Sequence, residues 1–371
     1  MSQDAATSIK KTRDFYTQKK HAKILQHEFG YYSLDRWIAE GHIKNEAELN
    51  AICQIEEPGV IRLGGLGWCE TQFMPEFEIK VVEDRGEHEL VQDHAGRHVL
   101  YFKNRRHGFM PEYVNHPVTD MNSWERDIIW RMDPTTPGRG ESDEYIAGVR
   151  DHAAQGGMIC QGVIGGYMYL RSLVGPEGAL YLFYDDPELI HTMMKAWFEL
   201  ADSVIARHQE LIAPYPIDEL FLAEDICYNH GPLISPHMMR EFLFPYYQQL
   251  ITNMKARQGG KLSYLQIDTD GNCMPVIPVY QELGMNYMSP FEVASGCDVV
   301  ALRKQYPELL MRGGIDKRIL AAGKDAIDRE IDRIMPFMVA QGGFIPVCDH
   351  GVPEEVDFEN FIHYRKRLLE F

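Results

Sequence analysis

Nine side chains able to hold a proton or a cation fall at the ends of short apolar runs: Glu224, Asp225, Asp268, Asp270, Glu292, Asp316, Cys348, Asp349 and His350. Asp268 and Asp270 carry the sharpest chemical implication. Residues two apart on an extended strand share a side, so a strand that stays extended to Asp270 aims both carboxylates at one point. Two such acids repel each other unless a cation or a shared proton lies between them. His350, in a His-Gly-Val-Pro turn, adds a group that titrates near neutral pH, and Cys348 lies two residues before it on the same side. The set suits either metal binding or proton transfer. Plainer roles are open for several members. Asp225 precedes a turn containing Asn229 and Gly231, and Asp316 precedes a helix, so either can cap backbone N–H groups. The stretch 268–272 has the composition of a turn, and a buried cysteine is often a small hydrophobe.

The elements that must position these groups follow a repeating pattern. Apolar runs at 262–267, 286–291, 309–311 and 343–347 each break into polar or glycine-rich residues, and 319–340 has helical spacing. Repeated strand, loop and helix units imply parallel strands whose carboxyl ends meet on one face. In a (β/α) barrel that face carries the active site. Upstream, 8–27 reads as an opening helix on the outside, and 29–37 as aromatic residues that pack on a rim or touch a ligand. Val60 to Leu63 reads as the first barrel strand. Alternating runs at 77–82, 90–93 and 99–103 read as an antiparallel meander inserted after it, of the length usual for a lid or pocket wall. A short helix is expected at 124–131, an exposed loop at 133–143 and a strand at 162–169. Asp186-Pro187-Glu188 opens a long helix to about Leu211, residues 219–223 form a strand ending in Glu224 and Asp225, and Ser235-Pro236 starts another helix.

Composition limits the function classes. A net charge of −18 in 371 residues argues against nucleic acid, whose backbone is bound by concentrated Lys and Arg. Seven scattered cysteines without a CxxC pair indicate neither a disulfide framework nor a zinc ribbon, so a reducing, cytoplasmic setting is expected. No run reaches membrane-spanning length, and the polar start lacks a signal-peptide core. Gly64-Gly65-Leu66-Gly67 and Gly165-Gly166 match neither a dinucleotide fingerprint nor a P-loop, and no GxSxG elbow is present.

Cys348-Asp349-His350-Gly351-Val352-Pro353 with Phe358-Glu359-Asn360-Phe361, Gly231-Pro232-Leu233-Ile234-Ser235-Pro236 before Phe242 and Pro245-Tyr246-Tyr247, and Gly313-Gly314-Ile315-Asp316-Lys317-Arg318 together resemble the uroporphyrinogen decarboxylase superfamily. The resemblance runs from about Phe29 to the end and is closest to the corrinoid-dependent methyltransferase branch. It implies one (β/α)₈ TIM-type barrel over residues 51–371, with a helical extension over 1–50 and the insertion at about 77–104. In the zinc-using members a His-x-Cys pair and a last-loop Cys hold the metal. Here those positions fall on Asp268-Thr269-Asp270 and His350, an oxygen and imidazole set that suits Zn²⁺ and harder cations. The resemblance therefore implies that Asp268, Asp270 and His350 hold a metal or supply a proton. Glu224 and Glu292 would orient ligands, Tyr31, Trp68 and Tyr167 would line an aromatic pocket, and Cys348 would touch substrate. The decarboxylase grips its macrocycle with arginines and an aspartate on its amino-terminal strand, whereas this chain offers 64–68 without an arginine cluster. The expected activity is demethylation of a small methylated donor, such as a methoxylated aromatic, with transfer to the cobalamin of a separate corrinoid protein. Decarboxylation, with Asp268 or Asp270 as proton shuttle, and a non-catalytic binding barrel are the alternatives. Whether the chain forms a homodimer stays open.

Overall fold

The computed structural model describes residues 3–103 and 111–371. β1 (Val60–Leu63) is followed by a four-stranded antiparallel sheet of β2 (Lys80–Arg85), β3 (His88–Gln92), β4 (His98–Phe102) and β5 (Glu112–Asn115). The chain then forms β6 (Met158–Ile164), β7 (Glu219–Ala223), a two-stranded ribbon of β8 (Cys227–Tyr228) and β9 (Gly231–Pro232), and β10 (Tyr264–Asp268), β11 (Tyr287–Ser289), β12 (Leu310–Ile315) and β13 (Phe344–Cys348). Seven strands pair in parallel in the order β1-β6-β7-β10-β11-β12-β13. β6, β7, β11 and β13 are buried throughout, as strands covered on both faces must be. This is the curled parallel sheet of a TIM-type barrel, so the α/β class and the barrel architecture hold.

Seven ladder strands are present among the described residues where eight were expected. Part of the reason lies at the edge of β13. The Cys348 N–H donates to the Glu28 carboxylate at 3.0 Å, and Glu28 is itself paired with buried Arg365 at 2.7 Å. A side chain thus satisfies a backbone group that a neighbouring strand would take, and the non-strand stretch 22–29 lies along this edge.

Other expectations shift in detail. The opening helix is Gln3–Tyr16 and ends inside the barrel rather than outside. Its last-turn Phe15 and Tyr16 cluster with Leu25, Met158, Tyr287, Leu310, Ile345 and Val347, because two adjacent aromatics outweigh a polar majority once a lumen is available to bury them. The expected strand at 162–169 straddles a boundary: β6 stops at Ile164, and Gly165 starts the helix Gly166–Val174. The helical stretch 319–340 divides into Lys317–Ala321 and Lys324–Gln341 around Gly323, whose φ of +101° breaks the helix. β12 continues through Gly313, where a Cβ would lie 1.7 Å from the Pro290 carbonyl oxygen. The insertion has four strands rather than three, and residue 104, its expected last residue, lies outside the described residues. The stretch 133–143 is pinned: Arg139 donates to Gln72 O at 3.0 Å, and Glu141 accepts the Gly64 N–H at 2.6 Å. The long helix Pro187–Ile212 and the strands β1 and β7 fall where the sequence put them, with the Asp186 side chain capping Leu189 N–H at 3.0 Å.

Candidate functional site at the barrel mouth and lumen

The carboxyl ends of β10, β11, β12 and β13 deliver charged groups to one face, as parallel topology requires. β10 ends at Asp268, whose carbonyl oxygen accepts the backbone N–H groups of Glu224 and Asp225 at 2.9 and 3.1 Å. The chain then turns, so Asp268 and Asp270 serve different partners. Asp268 faces the lumen, where the Ser289 hydroxyl donates to it and Gln266 donates to the same hydroxyl at 2.9 Å. Burial pushes the Asp268 carboxyl up to about 6, against the lowering effect of Ser289. Asp270 lies 3.0 Å from His350 Nε2. That hydrogen bond and the charge of Asp270 raise the imidazole above its ordinary value, and its other nitrogen, Nδ1, is buried without a partner. His350 is thus oriented through one nitrogen and keeps the other for a further contact.

Around this pair lie further charges. Glu292 accepts the Gly271 N–H at 3.0 Å and Lys317 Nζ at 3.2 Å. Partial burial pushes Glu292 up, but these donors outweigh it and hold the carboxyl below its ordinary value. Asp349 is fully buried, and burial raises it, while its oxygens accept the backbone N–H groups of Val293 and Lys317 at 2.8 and 3.3 Å. Asp225 pairs with Arg171 at 2.6 Å. Asp225 and Phe291 have φ of +41° and +58°, left-handed conformations that cost residues with a Cβ and cluster at functional sites.

The metal expectation meets a donor set that does not fit. Among the described residues no three His, Cys, Asp or Glu side chains are grouped to hold a metal ion, because β10 ends before Asp270 and Asp268 is engaged by Ser289.

Several other expected site residues have partners within the protein. Glu224 is fully buried and accepts the Tyr247 hydroxyl at 2.7 Å and the Tyr167 N–H at 3.2 Å, at the start of the helix Gly166–Val174. Its carboxylate caps the positive end of that helix, and burial raises its pKa to about 7. Tyr167 is itself fully buried beside it. The Tyr31 ring packs on Trp37 and Phe361, and its hydroxyl reaches Asn50 at 3.2 Å. Trp68 is 64% exposed. Cys348 belongs to the main core cluster, and burial pushes its thiol well up, against a lowering hydrogen bond from the His350 backbone. Asp316 caps the Arg318 N–H at 2.9 Å, the plainer of its two readings.

The lumen also holds residues the sequence reading passed over. Arg62 of β1 lies over the Phe221 ring at 4.0 Å, and Arg312 of β12 lies over the Phe29 ring at 4.3 Å with its Nη2 2.6 Å from His27 Nε2. The amino-terminal strand therefore does bring an arginine, joined in the same lining by a second from β12. Alternation offered a signal for both, since each is the third residue of its strand, two places after an apolar residue.

Fold and site together define a barrel protein with an acid and histidine pair at the mouth and cations in the lumen. A profile described as uroporphyrinogen decarboxylase (URO-D) matches residues 116–368. The chain belongs to that family. It is 25% identical over 199 residues to a uroporphyrinogen decarboxylase of Alcanivorax borkumensis, covering 51% of this chain and 50% of that protein. It is 21% identical over 192 residues to that of Vesicomyosocius okutanii subsp. Calyptogena okutanii, covering 48% of each. The chain thus spans about half the length of these curated relatives. A methyltransferase from Methanosarcina mazei superposes over 97% of both chains with a TM-score of 0.56 and 15% identity, a likeness of fold. Among the described residues no helix is long and apolar enough to cross a membrane.

Proposed function

We propose that the chain is a methyltransferase that removes a methyl group from a small methylated donor, such as a methoxylated aromatic, and passes it to the cobalamin of a separate corrinoid protein. The observation that supports this reading is the His350 and Asp270 pair, 3.0 Å apart with Nδ1 of His350 unpartnered. The reduced acceptor supplies the nucleophile. As the bond between the methyl carbon and the donor oxygen breaks, its electron pair goes to oxygen, and an alkoxide or phenoxide is a poor leaving group until it is protonated. Asp270 holds the imidazolium by its Nε2–H, and Nδ1–H is the proton to give. The fold-level likeness to a methyltransferase over nearly the whole chain agrees with this reading.

The test mixes the protein with free reduced cobalamin as surrogate acceptor and methoxylated aromatics, following the corrin absorption and the phenol released. Turnover that His350→Ala lowers about a hundredfold or more would support the reading. Turnover unchanged in that variant would refute the assigned role.

A second reading rests on Arg62 and Arg312 in the lumen and on Asp268, pushed up to about 6. It is decarboxylation of an acid, with the arginines holding carboxylate and Asp268 moving the proton. Carbon dioxide release from uroporphyrinogen, with no methyl transfer, would establish it. Absence of turnover in both assays would favour a non-catalytic barrel.

A further inference from the structure

Below the level of Asp268, the amino-terminal half of the barrel encloses a cavity of about 160 Å³, walled by Tyr16, His27, Arg62, Gln266, Tyr287 and Arg312 among others. Tyr16, His27 and Arg62 lie outside the stretch matched by the family profile, so much of this wall is built by the chain's own amino-terminal segment.

The electrostatics of the wall are lopsided. Among the described residues neither Arg62 nor Arg312 forms an ion pair. Arg312 spends one nitrogen on His27, and its Nε is buried without a partner. His27 answers as an acceptor and brings no negative charge, because burial and the charges of Arg312 and Arg365 hold it well toward the neutral form. The lining also contains one acid, Glu219. Tyr16 donates to that carboxyl, Cys160 lies 3.3 Å from its other oxygen, and burial raises it toward its protonated form. Asp268 also acts on both arginines, though neither reaches it in an ion pair and burial raises its carboxyl to about 6, and cations withdrawn from water with no ion-pair partner are costly. Stacking on Phe221 and Phe29 offsets part of that cost, and an acceptor-only ligand would offset the rest.

We infer that this cavity is a binding site for a small organic carboxylate, held by Arg62 of β1 and Arg312 of β12 and seated against Tyr16 and Tyr287. Size sets the upper limit, since a cavity of about 150 Å³ accommodates benzene, so the ligand is about the size of benzoate or smaller. The planar guanidinium fork matches a carboxylate in two parallel bonds. The inference goes beyond the methyl-transfer reading, which uses neither arginine, and it shares both arginines with the decarboxylation reading, from which binding of benzoate without release of carbon dioxide distinguishes it.

The test is isothermal titration of the full chain with benzoate, its neutral isostere benzamide and inorganic phosphate. Benzoate should bind saturably, benzamide at least about tenfold more weakly, and phosphate should not displace benzoate. Arg312→Gln and Arg62→Gln should each weaken benzoate about tenfold or more, with Arg126→Gln, on the surface, without effect. Arg312→Lys keeps the charge but not the fork and should fall between, which keeps the site readable where the glutamine variant does not fold. Equal binding of benzoate and benzamide, preference for phosphate, or no saturable binding of benzoate at millimolar concentration would overturn the inference.

Discussion

Glu224 offers the clearest measurement of what the folded barrel does to a carboxyl group. It is fully buried, and burial raises its pKa from 4.5 to about 7, against hydrogen bonds from Tyr247 and the backbone N–H of Tyr167. A carboxyl that holds its proton more tightly when folded stabilises the fold at low pH. That contribution is complete below the unfolded value of about 4.5 and is lost as pH rises through about 7. One unit of pKa corresponds to about 1.4 kcal/mol, so between pH 5 and pH 8 the wild-type chain should lose about 2.5 kcal/mol from this group. Glu224→Gln keeps the shape and removes the titration. Its stability difference from wild type, read by urea unfolding at both pH values with matched m-values, should move by about 2.5 kcal/mol in favour of the variant at pH 8. The amide carries a cost of its own, since its NH₂ meets the donors that bond Glu224, but that cost is common to both pH values and cancels. An unchanged difference at pH 5 and pH 8 would refute the assignment of a buried, proton-retaining Glu224. Loss of activity without any change in stability would restore the catalytic role expected from sequence.

Further outcomes follow from the same geometry. Asp270→Asn removes the hydrogen bond and charge that raise His350, so the high-pH limb of activity should move to lower pH, a shift checked by proton NMR of the imidazole and by the pH–rate profile. Gly165→Ala places a Cβ 2.0 Å from a Glu224 carboxylate oxygen and 2.7 Å from its Cα, and should cost about 3 kcal/mol or more of stability in denaturant titration. Cys348→Ala should lower stability by about 1 kcal/mol through a small core void while leaving turnover unchanged. Ser289→Ala removes the donor that lowers Asp268, so any step that depends on Asp268 being ionised should require higher pH, visible as a displaced low-pH limb.

The strand ends were legible because their signals are local. An apolar run that stops at Asp, Glu or Gly marks where a parallel strand leaves the sheet, and 219–223 and 60–63 were bounded correctly on that basis. The pairing of Asp268 with Asp270 failed because it extrapolated strand periodicity two residues past the point where backbone bonds from Glu224 and Asp225 to the Asp268 carbonyl turn the chain. Tyr31, Tyr167 and Cys348 have partners within the protein that the sequence did not show, for another reason. An aromatic or a thiol near a strand end has the same composition whether it faces the lumen or the helices, and only tertiary packing decides which.

The lumen arginines show what a reading based on strand ends leaves out. In a barrel the inward side chains of every strand form layers beneath the mouth, and a charged residue inside an apolar strand must either find a partner there or supply a site. Arg62 and Arg312 sit on β1 and β12, near the two edges of the parallel ladder, and the helix carrying Tyr16 closes the same space from below. The open edge of β13 among the described residues and the cationic cavity are therefore linked. Where Glu28 replaces a strand's backbone at the β13 edge, the adjoining stretch 22–29 is free to send His27 and Phe29 inward to Arg312. His27 and Phe29 are two positions apart and face Arg312, with Glu28 between them turned to the β13 edge, so the stretch keeps the in-and-out alternation of a strand while a side chain makes the bond to β13. On this argument the amino-terminal segment helps set what the barrel can hold, while the mouth residues of the family region set what is done to it.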